Sequence, residues 1–252
     1  MAEIFRGNMR KVMIGSPCYD GRLDVWYTNS LCNTIKAGIK RDIEITPIWI
    51  SFDALIQRAR NDTIHTMIQG GFDELVWIDT DIEWLPEDFF KLLDYPVDVV
   101  GGTYRKKGDI EEYVVRQMTR TPADPTTKLL QVDGLGTGFV RMSRAACQYL
   151  WDVSRPYIDP KDNQERRMIF DVVIGDTDGT PGLISEDIHA FNKLVEGGFS
   201  VWLDPKITCN HTGPYKFKGD FSEWYKKPIS SSRVPGLPAV QKPFVPKAHK
   251  QL

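Results

Sequence analysis

Hydrophobic and polar positions in the first hundred residues follow strand and helix periods in turn. Short apolar runs are typical of strands, and apolar residues three and four positions apart are typical of helices. This pattern predicts strands over residues 10–17, 43–50, 75–78 and 97–100, and helices over residues 27–40, 54–69 and 86–93. Alternation with short connections indicates an α/β fold: a mostly parallel sheet with right-handed crossovers and helices on both faces.

After Gly101 the predicted elements become shorter and less regular. We expect strands over residues 113–118, 129–132 and 138–142, a helix capped by Ser143, a helix over residues 186–196 behind Ser185, and a last strand over residues 199–203. Paired glycines, Gly70-Gly71 and Gly197-Gly198, are expected to close two helices, the first pair in the left-handed conformation. The second part of the chain therefore predicts a smaller, mixed continuation of the sheet.

Two carboxylates, Asp79 and Asp81, directly follow the apolar run Leu75–Ile78. Ligands of parallel α/β sheets bind beyond the carboxyl ends of the strands. Carboxylate oxygens suit a divalent cation and leave positions open for phosphates. A second such pair, in Asp176-Thr-Asp178, has no apolar strand before it and lies among glycine and proline, which predicts a solvated turn. The context of the first pair favours a metal and diphosphate anchor over a plain surface loop.

Length and composition permit one sizeable core, since 41% of the 252 residues are hydrophobic. The sequence contains no run of 18 or more apolar residues, so no membrane span is predicted. The first residues lack the apolar core of a signal peptide. We therefore expect a soluble, cytoplasmic protein. The cysteines are widely spaced, which favours reduced thiols over a zinc site: Cys18, Cys32, Cys147 and Cys209.

The net charge of −2 conceals a basic carboxyl-terminal segment. From Gly213 onwards, eight Lys or Arg residues stand against Asp220 and Glu223, and six prolines interrupt any regular helix or central strand. We expect this tail, residues 221–252, to wrap the surface or to be partly disordered.

Three further clusters could contribute chemistry. Arg58 and Arg60 lie on the predicted helix that precedes the strand over residues 75–78. Their side chains would either bind phosphate or ribose oxygens or be solvated. Glu186 and Asp187 begin a helix, where the helix dipole alone explains acids and a catalytic base is the alternative. Residues 210–216 combine an imidazole, a glycine and an ammonium group, which could complete a metal site and bind a leaving phosphate.

Over residues 12–220 these motifs together resemble the nucleotide-sugar-dependent glycosyltransferases of the GT-A fold. Asp79-Thr80-Asp81 resembles the Asp-x-Asp metal motif of that fold. Arg60-Asn61, upstream of that motif, is similar to the Anp1-like mannosyltransferases and to related phage and bacterial enzymes. The resemblance implies one domain over residues 1–220, with a nucleotide-binding half (residues 1–101) and an acceptor half (residues 102–220).

The motifs disagree about stereochemistry. Glu186-Asp187 resembles the acidic pair that supplies the base in inverting members. His211-Thr-Gly-Pro-Tyr-Lys216-Phe217 resembles the His-x-Gly-x-x-Lys-x-Trp signature of the glycogenin-like retaining family, with Phe217 in place of tryptophan. Inversion and retention therefore both stay open.

The resemblance also implies roles for single residues. Asp79, Asp81 and His211 would hold Mn²⁺ or Mg²⁺, and Asp187, or else Glu186, would be the base. Contacts with the donor, which the resemblance implies is a UDP-sugar, would come from Ser16, Pro17, Tyr19, Arg58, Arg60, Thr80 and Lys216. Gly136, Thr137 and Gly138 would let an acceptor approach closely, although a tight turn explains these glycines equally well. A glycan or a hydroxylated DNA base could be the acceptor, the latter through the basic tail.

Other functions remain compatible with the same residues. A nucleotidyltransferase or a metal-dependent phosphohydrolase could use Asp79 and Asp81 for phosphoryl chemistry. A non-catalytic protein that binds nucleotide sugars is a further possibility. A nucleic-acid-binding protein would rely on the basic tail, but the tail shows little regular interleaving of aromatic residues with its lysines.

Overall fold

The structure is a computed structural model that describes residues 9–118, 123–177 and 179–226. Its strands are β1 (Arg10–Cys18), β2 (Ile43–Ser51), β3 (Glu74–Ile78), β4 (Ile82–Glu83), β5 (Val99–Tyr104), β6 (Val115–Met118), β7 (Leu130–Leu135), β8 (Phe139–Ser143), β9 (Pro156–Asp159), β10 (Gln164–Arg167), β11 (Val173–Thr177), β12 (Thr180–Ile184), β13 (Val201–Thr212) and β14 (Lys216–Phe217). Its helices are α1 (Val25–Ile39), α2 (Ile56–Gln69), α3 (Pro86–Asp94), α4 (Arg144–Val153), α5 (Glu186–Glu196) and α6 (Phe221–Lys226).

The core of the described chain is a large mixed sheet in the order β2-β1-β3-β8-β5-β13-β7-β6, with β4 and β14 paired to β13. Strands β2, β1, β3, β5 and β13 run in one direction, whereas β8 and β7 run against them. The predicted α/β fold class with a mostly parallel sheet is confirmed. One strand of the second half, β8, lies between β3 and β5 of the first half, so both halves build one continuous sheet.

Helices cover both faces of this sheet, as predicted. Helices α1 and α3 contact each other, and α4 contacts both α2 and α5. Strand β3 is buried along its whole length because neighbours lie on both of its faces. Val76 and Ile78 belong to a core cluster that also contains residues of α1 and α3. On β3, Trp77 instead meets Phe170 edge to face, with ring centroids 5.3 Å apart.

Several predicted boundaries shift for local reasons. Helix α1 begins at Val25, two residues early, because the Asp24 carboxylate accepts a hydrogen bond from the Trp26 backbone and caps the helix. Helix α2 begins at Ile56, not at residue 54. Of the pair Gly70-Gly71, only Gly71 adopts the left-handed conformation, with φ of 66°. The prediction for Gly70 is wrong: its φ is −75°, since its backbone still donates to the Thr66 carbonyl.

The last long strand differs most from its prediction. It was expected to end at residue 203, but β13 continues to Thr212. An irregularity between Leu203 and Thr208 accommodates Pro205, and pairing with β5 then resumes at Thr208 and Cys209. As a result His211 lies in a strand and pairs with Ile82 of β4.

Two other predictions concern the surface. Asp176 lies in the β11–β12 hairpin and accepts a hydrogen bond from the backbone of Gly179, whose φ is 78°. This agrees with a turn, although Asp178 is outside the described residues. By internal contacts the chain divides after Phe221, and the tail from residue 227 onwards also lies outside the described residues. Within the described ranges, no helix is long and apolar enough to cross a membrane.

Candidate active site

A pocket of about 570 Å³ opens at the carboxyl edge of the sheet, where β1, β2, β3 and β5 end. Its volume lies in the range of small-molecule sites. Seven residues predicted from the sequence line it: Pro17, Tyr19, Arg60, Asp79, Thr80, Asp81 and His211. The fold therefore brings together residues that are up to 194 positions apart in the chain, as the strand-end argument anticipated for Asp79 and Asp81.

The two oxygens of Asp81 have different surroundings. Lys107 Nζ donates to Oδ2 at 2.5 Å, and His211 Nε2 lies 3.4 Å from the same oxygen. Oδ1 is buried and has no hydrogen-bond partner within the described chain. Burial raises the pKa of Asp81, but the contacts with His211 and Lys107 outweigh it and the net pKa is lowered. The group is therefore a carboxylate at neutral pH.

The His211 ring is held between two oxygen atoms. Its Nδ1 lies 2.9 Å from the Arg105 carbonyl, which can only accept a hydrogen bond, so Nδ1 carries the proton. The other nitrogen, Nε2, faces Asp81 Oδ2, which as a carboxylate oxygen is also an acceptor. A cation shared by Nε2 and Asp81 Oδ2 would satisfy both acceptors. A carbonyl that fixes the tautomer in this way is typical of histidine metal ligands.

Arg60 links the first aspartate to the acidic start of α5. Its Nη2 donates to Asp79 Oδ1 at 3.3 Å, and its Nε lies 3.6 Å from Glu186 Oε1. Only 6% of the Arg60 side chain is exposed, yet Nε and Nη1 have no hydrogen-bond partner within the described residues. A buried guanidinium with unused donors is well suited to a phosphate or a carboxylate of a ligand.

The neighbouring acid, Asp187, is turned towards its own helix. Its Oδ1 accepts hydrogen bonds from Ser185 Oγ at 2.5 Å and from the Ile188 backbone at 2.7 Å. Ser185 occupies the N-cap position as predicted, but its hydroxyl makes no cap hydrogen bond to the backbone. Of the two predicted acids, Glu186 is therefore the one in contact with the Arg60 and Asp79 pair.

A cation would fit this arrangement. Within the described ranges, no group of three or more His, Cys, Asp or Glu residues is gathered closely enough to hold a metal by itself. Asp81 and His211 nevertheless face each other, and the unpartnered Asp81 Oδ1 is a buried acceptor that a cation would satisfy. Two protein ligands leave other positions open for water or phosphate oxygens.

Other predicted donor residues lie beside the pocket or away from it. Ser16 is fully buried, and its hydroxyl is 2.8 Å from that of Tyr27. Arg58 forms a bidentate ion pair with Asp53, in which Nε donates to Oδ2 at 2.6 Å and Nη2 donates to Oδ1 at 2.8 Å. Asp53 lines the pocket. Lys216 pairs with Glu83 at 2.6 Å and lies over the Trp26 ring, so it is engaged outside the pocket lining.

The glycines of the predicted acceptor site pack against Tyr104. A Cβ atom at Gly138 would lie 2.5 Å from Tyr104 Cε1, and one at Gly136 would lie 2.5 Å from the Tyr104 hydroxyl oxygen. Thr137 is buried, with its hydroxyl unpartnered within the described chain. Tyr104 itself lines the pocket and stands between the pocket and these glycines.

Three site residues were missed by the sequence argument: Asp53, Tyr104 and Lys107. All three lie at or just beyond the ends of β2 and β5. The strand-end rule that singled out Asp79 could have found Tyr104 and Lys107, because they follow the predicted strand over residues 97–100. Asp53 carried no motif, and burial between Arg58 and Lys161 identifies it only in the folded chain.

Fold and site together define an α/β protein with a pocket lined by charged residues at the carboxyl edge of its sheet. No known protein family matches the chain, and no curated protein matches its sequence. The resemblance to Anp1-like enzymes is therefore not confirmed.

Solved structures share parts of the architecture. A197 from STIV is 18% identical, covers 81% of this chain and 86% of its own, and has a TM-score of 0.50, which indicates a common fold. A glycosyltransferase involved in the glycosylation of the major capsid of PBCV-1 is 9% identical. The match covers 55% of this chain and 62% of that glycosyltransferase, with a TM-score of 0.32. The inositol-1-phosphate CTP transferase from T. maritima is 10% identical. The match covers 81% of this chain and 87% of that transferase, with a TM-score of 0.40. The last two likenesses are too weak to indicate a function.

Proposed function

We propose that the protein is a metal-dependent glycosyltransferase that moves a sugar from a nucleoside-diphosphate sugar to a hydroxyl acceptor. The observation that carries this proposal is the Asp81 and His211 pair at the strand ends, with its unpartnered carboxylate oxygen, inside a pocket that also holds Asp79 and Arg60. Carboxylates and imidazole for a cation, beside a guanidinium for phosphate, are the groups that a nucleoside diphosphate requires.

In this proposal the pocket is divided by chemistry. Pro17, Tyr19 and Thr80 border the nucleobase and ribose of a UDP-sugar. Asp81 and His211 would hold Mn²⁺ or Mg²⁺, and Asp79, which pairs with Arg60, would lie beside the ion. When bound, the ion neutralises charge on the diphosphate. Arg60 adds a second positive group where negative charge grows as the diphosphate leaves, so its contribution is greatest in the transition state.

The acceptor is expected on the side of α5, where Glu186 and Asp187 supply the candidate bases. A carboxylate that accepts the proton of the attacking hydroxyl would make the reaction inverting. Gly136, Thr137 and Gly138 would influence the acceptor through Tyr104, whose ring they contact. Burial raises the pKa of Tyr104 well above its ordinary value, so the phenol stays protonated and can donate to a sugar hydroxyl.

Nucleotidyl transfer is the rival reaction for the same groups, since a cation with Arg60 would bind a nucleoside triphosphate equally well. The two reactions differ in their products. Incubation with a panel of nucleotide sugars and Mn²⁺ is expected to release a nucleoside diphosphate, and incubation with nucleoside triphosphates and sugar phosphates is expected to release no pyrophosphate. Pyrophosphate release without nucleoside diphosphate release would contradict the proposal and favour the rival.

A further inference from the structure

Lys107 is the closest positive group to Asp81, and neither the motifs nor the proposed function assigns it a role. Its ammonium donates to Asp81 Oδ2 at 2.5 Å, the same oxygen that faces His211 Nε2 at 3.4 Å. The ammonium therefore occupies the side of Asp81 on which a metal shared with His211 would bind.

An ammonium and a divalent cation cannot both use this oxygen without strong repulsion, because like charges at such short separation disfavour each other. A metal shared between Asp81 Oδ2 and His211 must then displace Lys107, and the lost ion pair weakens the metal's net affinity. Conversely, Lys107 neutralises Asp81 as long as no metal is bound. The two cations are alternatives at one carboxylate.

The loop that carries Lys107 is fixed at its base, while the side chain has room to turn. The Arg105 carbonyl faces His211 Nδ1 at 2.9 Å, and the Arg105 guanidinium donates to the carbonyls of Gly108 and Asp109. Lys106 is held separately by Glu112 at 3.2 Å. The Lys107 side chain is 36% exposed, and its flexible four-carbon stem allows the ammonium to move without moving the loop.

We infer that Lys107 exchanges partners: it occupies the metal's place on Asp81 in the free protein and turns to the donor diphosphate when metal and nucleotide bind together. This inference rests on the proposed function. A diphosphate bound to a cation at Asp81 brings several anionic oxygens within reach of the displaced ammonium, which replaces the lost ion pair. Metal and nucleotide then bind cooperatively, and Lys107 contributes the coupling.

Lys107→Met tests the exchange because methionine retains a similar length without the charge. Titration of Mn²⁺ alone, followed by the electron paramagnetic resonance of free Mn²⁺, is expected to show about tenfold tighter binding than the unchanged protein, within the usual range of coupling between sites. Calorimetry with UDP at saturating Mn²⁺ is expected to show about tenfold weaker binding. The two effects have opposite signs, which a general loss of structure would not produce.

Two variants serve as controls. Lys106→Met removes the neighbouring charge, which pairs with Glu112, and is expected to change neither affinity. Lys107→Arg keeps a cation and is expected to keep Mn²⁺ binding as weak as in the unchanged protein. If Lys107→Met binds Mn²⁺ no more tightly while the unchanged protein binds Mn²⁺ and UDP together, the exchange is overturned and the proposed function stands. If the unchanged protein binds UDP equally well with Mn²⁺ or with a chelator, both are overturned.

Discussion

Two carboxylates at the carboxyl edge of the sheet, Asp53 and Asp81, differ in how many of their oxygen atoms have hydrogen-bond partners. Asp53 has its charge fully matched, since Arg58 and Lys161 both donate to it and only 1% of its side chain is exposed. Asp81 keeps one buried oxygen without a partner in the described chain. We therefore expect Asp53 to contribute to stability, and Asp81 to serve the ligand binding proposed above, although both line the same pocket.

The ion pairs of Asp53 predict a pH-dependent stability. Burial raises its pKa, but the hydrogen bond from Arg58, a backbone hydrogen bond from Leu55 and the Lys161 ammonium outweigh burial and lower the pKa to about 2. Because this folded-state pKa lies below the ordinary value of 3.8, ionised Asp53 stabilises the fold above about pH 4, and the effect is lost as the pH falls towards 2.

Asp53→Asn is accordingly expected to lower the free energy of unfolding by about 2 kcal/mol at pH 7, after allowance for the partly exposed cations. Urea denaturation at a series of pH values should show this difference shrinking below pH 4. Glu44→Gln, at an exposed carboxyl group on β2, should show no such trend. A constant difference across the series would mean that Asp53 acts through packing and not through its charge.

The two acids at the start of α5 lead to different predictions. Asp187→Asn is expected to lower turnover by roughly 10²-fold while donor affinity stays nearly the same, because a general base acts in the transition state. Glu186→Gln is expected to change donor affinity as well, since Glu186 pairs with Arg60 beside Asp79. NMR of the product should show the anomeric configuration opposite to that of the donor. Retention would favour the glycogenin-like mechanism, whereas inversion with near-normal turnover of Asp187→Asn would assign the base to Glu186.

At the scale of elements, the short-range pattern predicted most strands and helices of the first hundred residues, but it could not predict pairings between distant elements. Strand β3 was visible because four apolar residues lead directly into Asp79, with Asp81 two positions further on. The motif around His211 also pointed to the site, but the pairing that brings His211 there was not predicted, because it depends on β13 continuing past Pro205 and pairing with β4. Thr212 donates to the Asp81 carbonyl through its backbone at 2.8 Å, which fixes these two elements side by side.

The turn between β7 and β8 gives an element-level prediction. Gly138→Ala would place a methyl group 2.5 Å from the Tyr104 ring, so the ring or the turn must shift. We expect a loss of about 1–3 kcal/mol in the free energy of unfolding, the usual cost of overpacking. In a Tyr104→Leu background the loss should become smaller, because the clashing ring is gone.

Gly108→Ala is the matched control for this turn. A Cβ atom at Gly108 would meet no heavy atom within 4 Å, so its effect on stability should be near zero. Equal losses in the free energy of unfolding for Gly138→Ala and Gly108→Ala would contradict the explanation that Gly138 is required for packing against Tyr104. The glycines would then serve only to form the turn.

At the scale of the whole molecule, one mixed sheet collects residues from across the chain at a single edge. The sequence predicted the class of fold and that edge, because both follow from local periodicity and from the ends of strands. It did not predict that β8 would enter the sheet between β3 and β5, which requires knowledge of long-range packing. From residue 227 onwards the basic tail stays an expectation, because that part lies outside the described residues.

The central claim is that Asp79 and Asp81 bind a nucleoside diphosphate through a divalent metal. Calorimetry of UDP binding with Mn²⁺ and with a chelator tests it most directly, in the unchanged protein and in the Asp79→Asn, Asp81→Asn double variant. Asp176→Asn, at the second pair of aspartates, is the matched control. We predict binding that requires Mn²⁺, is lost in the double variant and is kept in Asp176→Asn, with all three proteins folded by circular dichroism. Equal UDP affinity in the double variant and the unchanged protein would contradict the account.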